Sequence, residues 1–394
     1  MKLSIAPALT FLGVLLSLTG GLALWLSWRL VGVLDLPAPW QGVGIAAVVG
    51  WVVLVLAGLV LPRVLGKGPK VDALARVAFA NMGLLSLVIS GVLLRDVAWV
   101  GWEFFSGTSA WAAGLSGHGL DQALRGSSLG IVAVSMGLVA LGWRNARSTP
   151  AVRRVEVGIA DLPASLEGFR IVQLSDVHVG PTIEADWLGP VVERVNGVEA
   201  DLVVITGDLV DGSVNDLARH VAPLANLNSR HGTWFVTGNH EYYSGARQWV
   251  AHLAGLGVRT LMNEHHLVRH GEGRLLLAGV PDHDAARIIP EHRPDVGRAL
   301  AGAPERDATV LLAHQPRSAR LAQGHGVDLQ LSGHTHGGQL WPWMHLVRLQ
   351  QPMVAGLEML GDVQVYTSRG TGYWGPPVRL GAPSEITLLV LRRA

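Results

Sequence analysis

Four uncharged apolar stretches, Ala8–Trp28, Val43–Leu61, Val77–Leu94 and Gly126–Trp143, constrain this chain more than any other feature. Each has about 18 residues or more, the length at which a helix crosses a hydrocarbon core. Trp25, Trp28, Trp40, Trp99, Trp102 and Trp143 fall near the stretch ends, where interfacial aromatics are expected. Arg76 and Arg95 bracket the third stretch, and Arg125 and Arg144 the fourth. Only Lys2 precedes the first stretch, with no twin arginine and no small-residue cleavage site, so it reads as an uncleaved anchor. No charge lies inside the stretches; Ser17, Thr19, Asn81, Ser86 and Ser90 are their main polar residues, which suits an anchor better than a channel. The region Val97–Gly117, with Trp99, Trp102, Phe104, Phe105 and Trp111, reads as an interfacial segment or a poor extra span.

Composition divides the 394 residues into two halves. Residues 1–150 contain 10 basic and 5 acidic residues, whereas residues 151–394 contain 21 and 25. Fifteen of the 16 histidines follow Pro150. The expected organisation is a transmembrane anchor over residues 1–147 and a water-soluble domain over 148–394. With 15% charged residues and a mean hydropathy of +0.34, disorder is excluded. A formal charge of +1 provides no pull toward nucleic acid. The absence of cysteine removes disulfides, thiolate nucleophiles and Cys-ligated metals. Arg63, Lys67, Lys70 and Arg76 lie between stretches two and three, and Arg144, Arg147, Arg153 and Arg154 follow stretch four. Basic loops stay cytoplasmic, so four spans place both termini and the second half in the cytoplasm, as a multi-pass protein of the plasma (inner) membrane.

The second half alternates short apolar runs with amphipathic patterns, which predicts an α/β sheet fold. Val155, Val157 and Ile159 alternate as an entry strand. Strands are expected at Arg170–Leu174, Leu202–Ile205, Thr233–Val236, Arg274–Ala278, Thr309–Leu312, Leu329–Leu331 and Glu385–Leu391, with helices at Leu188–Asn196 and Leu217–Leu227. Polar residues gather just after these strands. Ser175-Asp176-Val177-His178 follows one, Gly207-Asp208-Leu209-Val210-Asp211 the next, then Gly238-Asn239-His240-Glu241, Ala313-His314-Gln315, and Gly333-His334-Thr335-His336. Ligands of open α/β sheets bind beyond the carboxyl ends of the strands, so residues spread over 160 positions can share one cleft.

This ordered series, D-x-H, G-D-x-x-D, G-N-H-[E/D], an isolated His and G-H-x-H, resembles the signature of the calcineurin-like metallophosphoesterase superfamily. Every motif element is present, and the resemblance covers about residues 152–392. Ser368-Arg369-Gly370, Pro377-Val378-Arg379 and Glu385-Ile386-Thr387 also look like the membrane-anchored, YkuE-like bacterial branch. The resemblance implies a four-layer αββα sandwich, here preceded by an all-α transmembrane region of about four helices. It assigns one metal to Asp176, His178, Asp208 and His336, and a second to Asp208, Asn239, His314 and His334, with Asp208 bridging. His240 resembles the histidine that contacts the phosphate and protonates the leaving oxygen. Asp211 and Glu241 read as orienting residues or caps.

Oxygen and imidazole ligands without sulfur suit two divalent ions of Mn, Fe, Zn or Co. Two such cations against two carboxylates leave a surplus positive charge that attracts phosphate and activates a bridging hydroxide. The expected activity is hydrolysis of a phosphate ester. The apolar run Leu340-Trp341-Pro342-Trp343-Met344-His345-Leu346 beside the last motif reads either as core or as a lip for lipid, which extends the expected substrate to a phosphodiester or pyrophosphate of a lipid or nucleotide-linked lipid. A membrane sensor or scaffold that binds a phosphorylated ligand without turnover is the alternative. Arg369 and Arg379 read either as phosphate ligands or as surface residues, and Asp282 and Asp284 as loop residues. No Gly-x-Ser-x-Gly elbow, Walker loop, dinucleotide fingerprint or nucleic-acid module competes.

Overall fold

The computed structural model describes residues 5–65, 68–106 and 118–394 and divides into two units, Met1–Leu141 and Gly142–Ala394. The first is all helical. It contains α1 (Ile5–Leu26), whose helical path continues in tighter and wider turns to Leu34, α2 (Ala38–Leu65), α3 (Pro69–Ser106) and most of α4 (His118–Arg147). All four are long and apolar enough to cross a membrane. Leu26, Val52, Val88 and Val92 pack in a shared core, yet Leu18, Leu24, Val97 and Phe104 face outward at 69–70% exposure. Helices apolar on their outer faces as well as their inner ones suit a hydrocarbon surround.

Helix α3 continues 12 residues beyond Leu94, so Trp99, Trp102, Phe104 and Phe105 extend the third span rather than forming a separate segment. Trp111 lies outside the described residues. The extension also changes the expectation of charge-free spans. Arg29 Nε donates to Asp96 Oδ2 at 2.7 Å, and Arg95 Nη1 donates to Ser128 Oγ at 2.7 Å and to Arg29 O at 3.1 Å. These charges are mutually paired near one end of the bundle, which is how ionisable groups are tolerated at membrane depth.

The second unit holds two six-stranded sheets. Its strands are β1 (Ala151–Ile159), β2 (Arg170–Leu174), β3 (Leu202–Thr206), β4 (Thr233–Val236), β5 (Val258–Thr260), β6 (Glu264–His270), β7 (Gly273–Gly279), β8 (Ala308–Leu312), β9 (Leu329–Ser332), β10 (Gly356–Leu360), β11 (Val363–Thr367) and β12 (Glu385–Arg393). Its helices are α5 (Ala185–Asn196), α6 (Val214–Val221), α7 (Asn239–Ser244), α8 (Ala246–Gly255), α9 (Val296–Leu300), α10 (Ala319–Ala322) and α11 (Met344–Val347). The strand orders are β1-β12-β2-β3-β4-β5 and β10-β11-β9-β8-β7-β6. Within them β2 to β5 run parallel, as do β7, β8, β9 and β11.

The period-2 alternation of strands builds the layers. Ile171, Leu202, Val204, Trp234 and Val236 of the first sheet meet Leu275, Leu277, Val310, Leu312 and Leu331 of the second in one core between the sheets. The intervening residues Val172, Val203, Ile205 and Phe235 face outward onto Trp187, Leu188, Leu217, Trp249 and Leu253 of α5, α6 and α8. On the other side Ala278, Leu311 and Val365 pack with Val296, Ala299, Ala319 and Ala322 of α9 and α10. The result is a four-layer αββα sandwich. All eight expected strands are present. Strands β5, β6, β10 and β11 were not legible: three are sheet edges, β11 lies beside one, and β6 reads EHHLVRH, too polar to stand out.

Candidate metal centre

The parallel strands β2, β3, β4, β8 and β9 all end on one side, and the loops after them bring the motif residues together. Asp176, His178 and His336 offer ligand atoms within 4.8 Å of one another, as do Asp208, His314 and His334. Asp208 links the two groups: its Oδ2 lies 3.1 Å from His314 Nε2 and 4.0 Å from His178 Nε2. His178 Nε2 faces His336 Nε2 at 3.0 Å, and His314 Nε2 faces His334 Nδ1 at 3.2 Å. In each pair at most one nitrogen can donate to the other, so each pair brings at least one imidazole lone pair into the cluster. Asn239, the first residue of α7, has a buried Oδ1 with no hydrogen-bond partner. An orphan buried acceptor is uncommon and calls for an explanation. Oxygen and neutral nitrogen donors converging in this way fit a divalent transition metal.

The backbone is bent to present these groups. Asp176, His178, Asp208, His334 and His336 all have φ between +50° and +70°, a left-handed conformation that non-glycine residues adopt only where surrounding structure enforces it. The motif glycines allow the loops to close on one another. A Cβ on Gly238 would overlap the Asp208 carboxylate, and one on Gly333 would overlap Ser175 Oγ and the Asp176 carboxylate. Asp176 accepts from His334 N at 2.9 and 3.0 Å, which ties the first motif to the last.

Neighbouring side chains orient the cluster. Asp211 Oδ1 lies 2.9 Å from His178 Nδ1 and 2.6 Å from His240 Nδ1, leaving both Nε2 atoms facing the centre. Glu241, fully buried, accepts from the backbone N–H groups of Asp208, Leu209, Val210 and Gly238 at 3.0, 2.8, 3.3 and 2.6 Å, locking the β3 and β4 loops together. His314 Nδ1 lies 2.7 Å from Thr206 O.

Electrostatics separates these groups. Burial pulls His334 down to about 3, with His314 adding to the effect, so His334 is a neutral imidazole. Burial and the Arg379 guanidinium hold His336 well below its ordinary value. His314 goes the other way: burial opposes its charge, but Asp208 overrides it and raises His314 well above the usual histidine range. For His240 burial is again outweighed, by Asp208 and Asp211, and the group rises to about 9. Burial and the Asp208 carboxylate push Glu241 up to about 7.

Arg379 differs from the sequence expectation. Arg379 is neither on the surface nor free for phosphate. It is 1% exposed, donates to His336 O at 2.8 Å, to Arg369 O at 2.7 Å and to Gly372 O, and lies 3.1 Å from His336 Nδ1. It holds the last motif against the 369–372 loop. Asp282 lies in the loop after β7, as expected, and is fully buried there, accepting from Gln315 Nε2 at 2.9 Å. No local pattern marks either role; both follow from chain segments that meet only in the fold.

Residues 169–338 match the calcineurin-like phosphoesterase family. A transmembrane protein with metallophosphoesterase domain from Bos taurus is 41% identical over 300 residues, covering 72% of this chain and 67% of the relative. An uncharacterized metallophosphoesterase of Helicobacter pylori is 40% identical over 276 residues, covering 69% and 71%. The uncharacterized metallophosphoesterase YkuE of Bacillus subtilis is 30% identical over 241 residues, covering 59% of this chain and 82% of YkuE.

Proposed function

This chain belongs to the calcineurin-like phosphoesterase family, and on that premise we propose that it is a membrane-anchored phosphoesterase with a dinuclear metal centre. It is a membrane protein and a phosphoric ester hydrolase. In our reading residues 1–147 are the anchor and residues 148–394 the catalytic part. One divalent cation would be held by Asp176, His178, Asp208 and His336, and a second by Asp208, Asn239, His314 and His334. The observation that carries this reading is the two groups of converging carboxylate and imidazole atoms, joined by Asp208, with the buried Oδ1 of Asn239 on the β4 loop left without a protein donor.

When bound, two divalent cations supply positive charge for the phosphate and acidify water. The side chains of the chain do the rest. Asp211 fixes the His240 ring through Nδ1, so its Nε2 is free to hold a proton and deliver it to the leaving oxygen. In the metal-free chain Asp208 and Asp211 raise His240 to about 9, and Asp211 keeps its contact with Nδ1 whether or not Asp208 is neutralised. Glu241 keeps Asp208 and Asn239 in register by binding the backbone of both loops.

For the substrate we favour a phosphodiester or pyrophosphate of a lipid or nucleotide-linked lipid. The support is the segment after His336, where Trp341 and Trp343 are each 41% exposed and Leu346 51%. Tryptophan suits a boundary that is apolar on one side and wet on the other. Basic residues between stretches two and three and after stretch four favour a cytoplasmic catalytic part. The test is a panel of aryl monoesters, aryl diesters, nucleotides and nucleotide-linked lipids on metal-reconstituted full-length protein, with Asp208→Asn beside it. We expect Asp208→Asn to lose turnover by about 10³-fold, the several kcal/mol that Lewis-acid stabilisation provides. Full turnover by that variant would end the bridging assignment.

A further inference from the structure

Two exposed aromatic side chains from distant parts of the chain flank His240. Tyr243 is 68% exposed and its ring centre lies 5.5 Å from that of His240; Trp374 is 53% exposed and lies 5.8 Å away. Both meet the imidazole edge-on, at 67° and 77°. Tyr243 stands three residues after His240 on α7, which puts the two on one helix face. Trp374 reaches the same place from the loop between β11 and β12.

That loop is held in position. Gln339, which directly follows the His334–Gly338 segment, accepts from Trp374 N at 2.9 Å and donates to Trp374 O at 2.8 Å and Pro376 O at 3.0 Å. One side chain thus grips Trp374 by both its backbone groups. The grip leaves about half of Trp374 exposed and places a large flat ring at a defined point beside His240.

We propose that Tyr243 and Trp374 form a subsite for a planar ring carried on the leaving group of the substrate, such as a nucleoside or aryl ring. The proposal rests on the role of His240 given above: with both ring centres within 6 Å of the imidazole, the substituent on a leaving oxygen that receives its proton has an aromatic surface within reach. Ring-on-aromatic stacking tolerates many rings, because each has a π-face.

The test uses full-length protein in detergent, loaded with Mn²⁺. Adenosine, phenyl and glycerol esters of one phosphoryl group are compared by kcat and KM, and equilibrium binding of adenosine monophosphate is compared with that of glycerol phosphate. Ring-bearing esters should show the lower KM. Trp374→Ala should cut the ring-to-glycerol ratio of kcat/KM by about 10-fold, through KM, with Tyr243→Ala acting in the same direction and Trp374→Phe retaining most of the preference. A wild-type enzyme that hydrolyses and binds ring and glycerol compounds alike overturns the subsite and leaves the phosphoesterase reading intact. So does a Trp374→Ala loss equal for every ester. Tighter binding of the adenosine compound that depends on Trp374, without turnover of any ester, supports the subsite and counts against the catalytic assignment instead.

Discussion

Gly238 separates the two loops that carry Asp208 and Asn239, and adding one methyl group there tests the closeness of the site. Its φ is −94°, a conformation open to alanine, so backbone strain does not enter. Space does. A Cβ would lie 2.5 Å from Asp208 N and 2.9 Å from Asp208 Cγ, and would overlap Oδ1. Ordinary contact begins near 3.4 Å, so the β3 and β4 loops would have to part by about 1 Å. Both loops continue from central strands of a close-packed sheet and are clamped by Glu241, so neither yields freely. Overpacking of this kind costs about 1–3 kcal/mol. For a unit of this size that corresponds to about 2–12 °C in Tm. A displacement of about 1 Å at reacting groups costs about 10²-fold in rate. Gly255 provides the control: it is the exposed last residue of α8, with nothing within 4 Å of an added Cβ. Gly255→Ala should leave turnover unchanged and stability level or raised by up to about 1 kcal/mol, because alanine is the better helix former. The assays are thermal unfolding, bound metal per chain and turnover on the most active ester. Gly238→Ala with two bound metals and turnover within twofold of the parent would refute the argument from space.

Three further outcomes are expected. Stripping the metal should abolish activity, and metal affinity should rise with pH between 6 and 8. His314 is held protonated by Asp208 in the metal-free chain and must become neutral to ligate, so uptake releases protons. Calorimetry in buffers of different ionisation enthalpy reads that release, and a pH-independent affinity would contradict it. His240→Asn should lower kcat by about 10²–10⁴-fold for an alkyl leaving group and far less for p-nitrophenolate, which needs no proton; equal losses would remove His240 from that role. Arg379→Lys should lose stability by about 1–3 kcal/mol, and metal affinity with it, because one ammonium cannot replace a fork that serves three loop carbonyls. Denaturant unfolding and metal content check this.

The apolar stretches, the eight strongest strands and the order of the motifs were legible in the sequence because each depends on local pattern. A helix that crosses hydrocarbon needs length and apolarity, and α1 to α4 have both within single segments. The core strands are buried on both faces and read as continuous apolar runs. Edge strands such as β6 lack that pressure and keep polar residues, so they passed unnoticed.

Local sequence also named the candidate ligands, since Asp176, His178, Asp208, Asn239, His314, His334 and His336 all follow strand ends directly. It did not reveal how they are supported. The burial of Arg379, the double use of Asp211, the grip of Gln339 on Trp374 and the meeting of Tyr243 with Trp374 at His240 join residues tens to more than a hundred positions apart. Those positions become neighbours only when two sheets stack and their loops share one end. What a segment can bury is written in its own residues; which side chains face one another across a cleft depends on the packing of all the others.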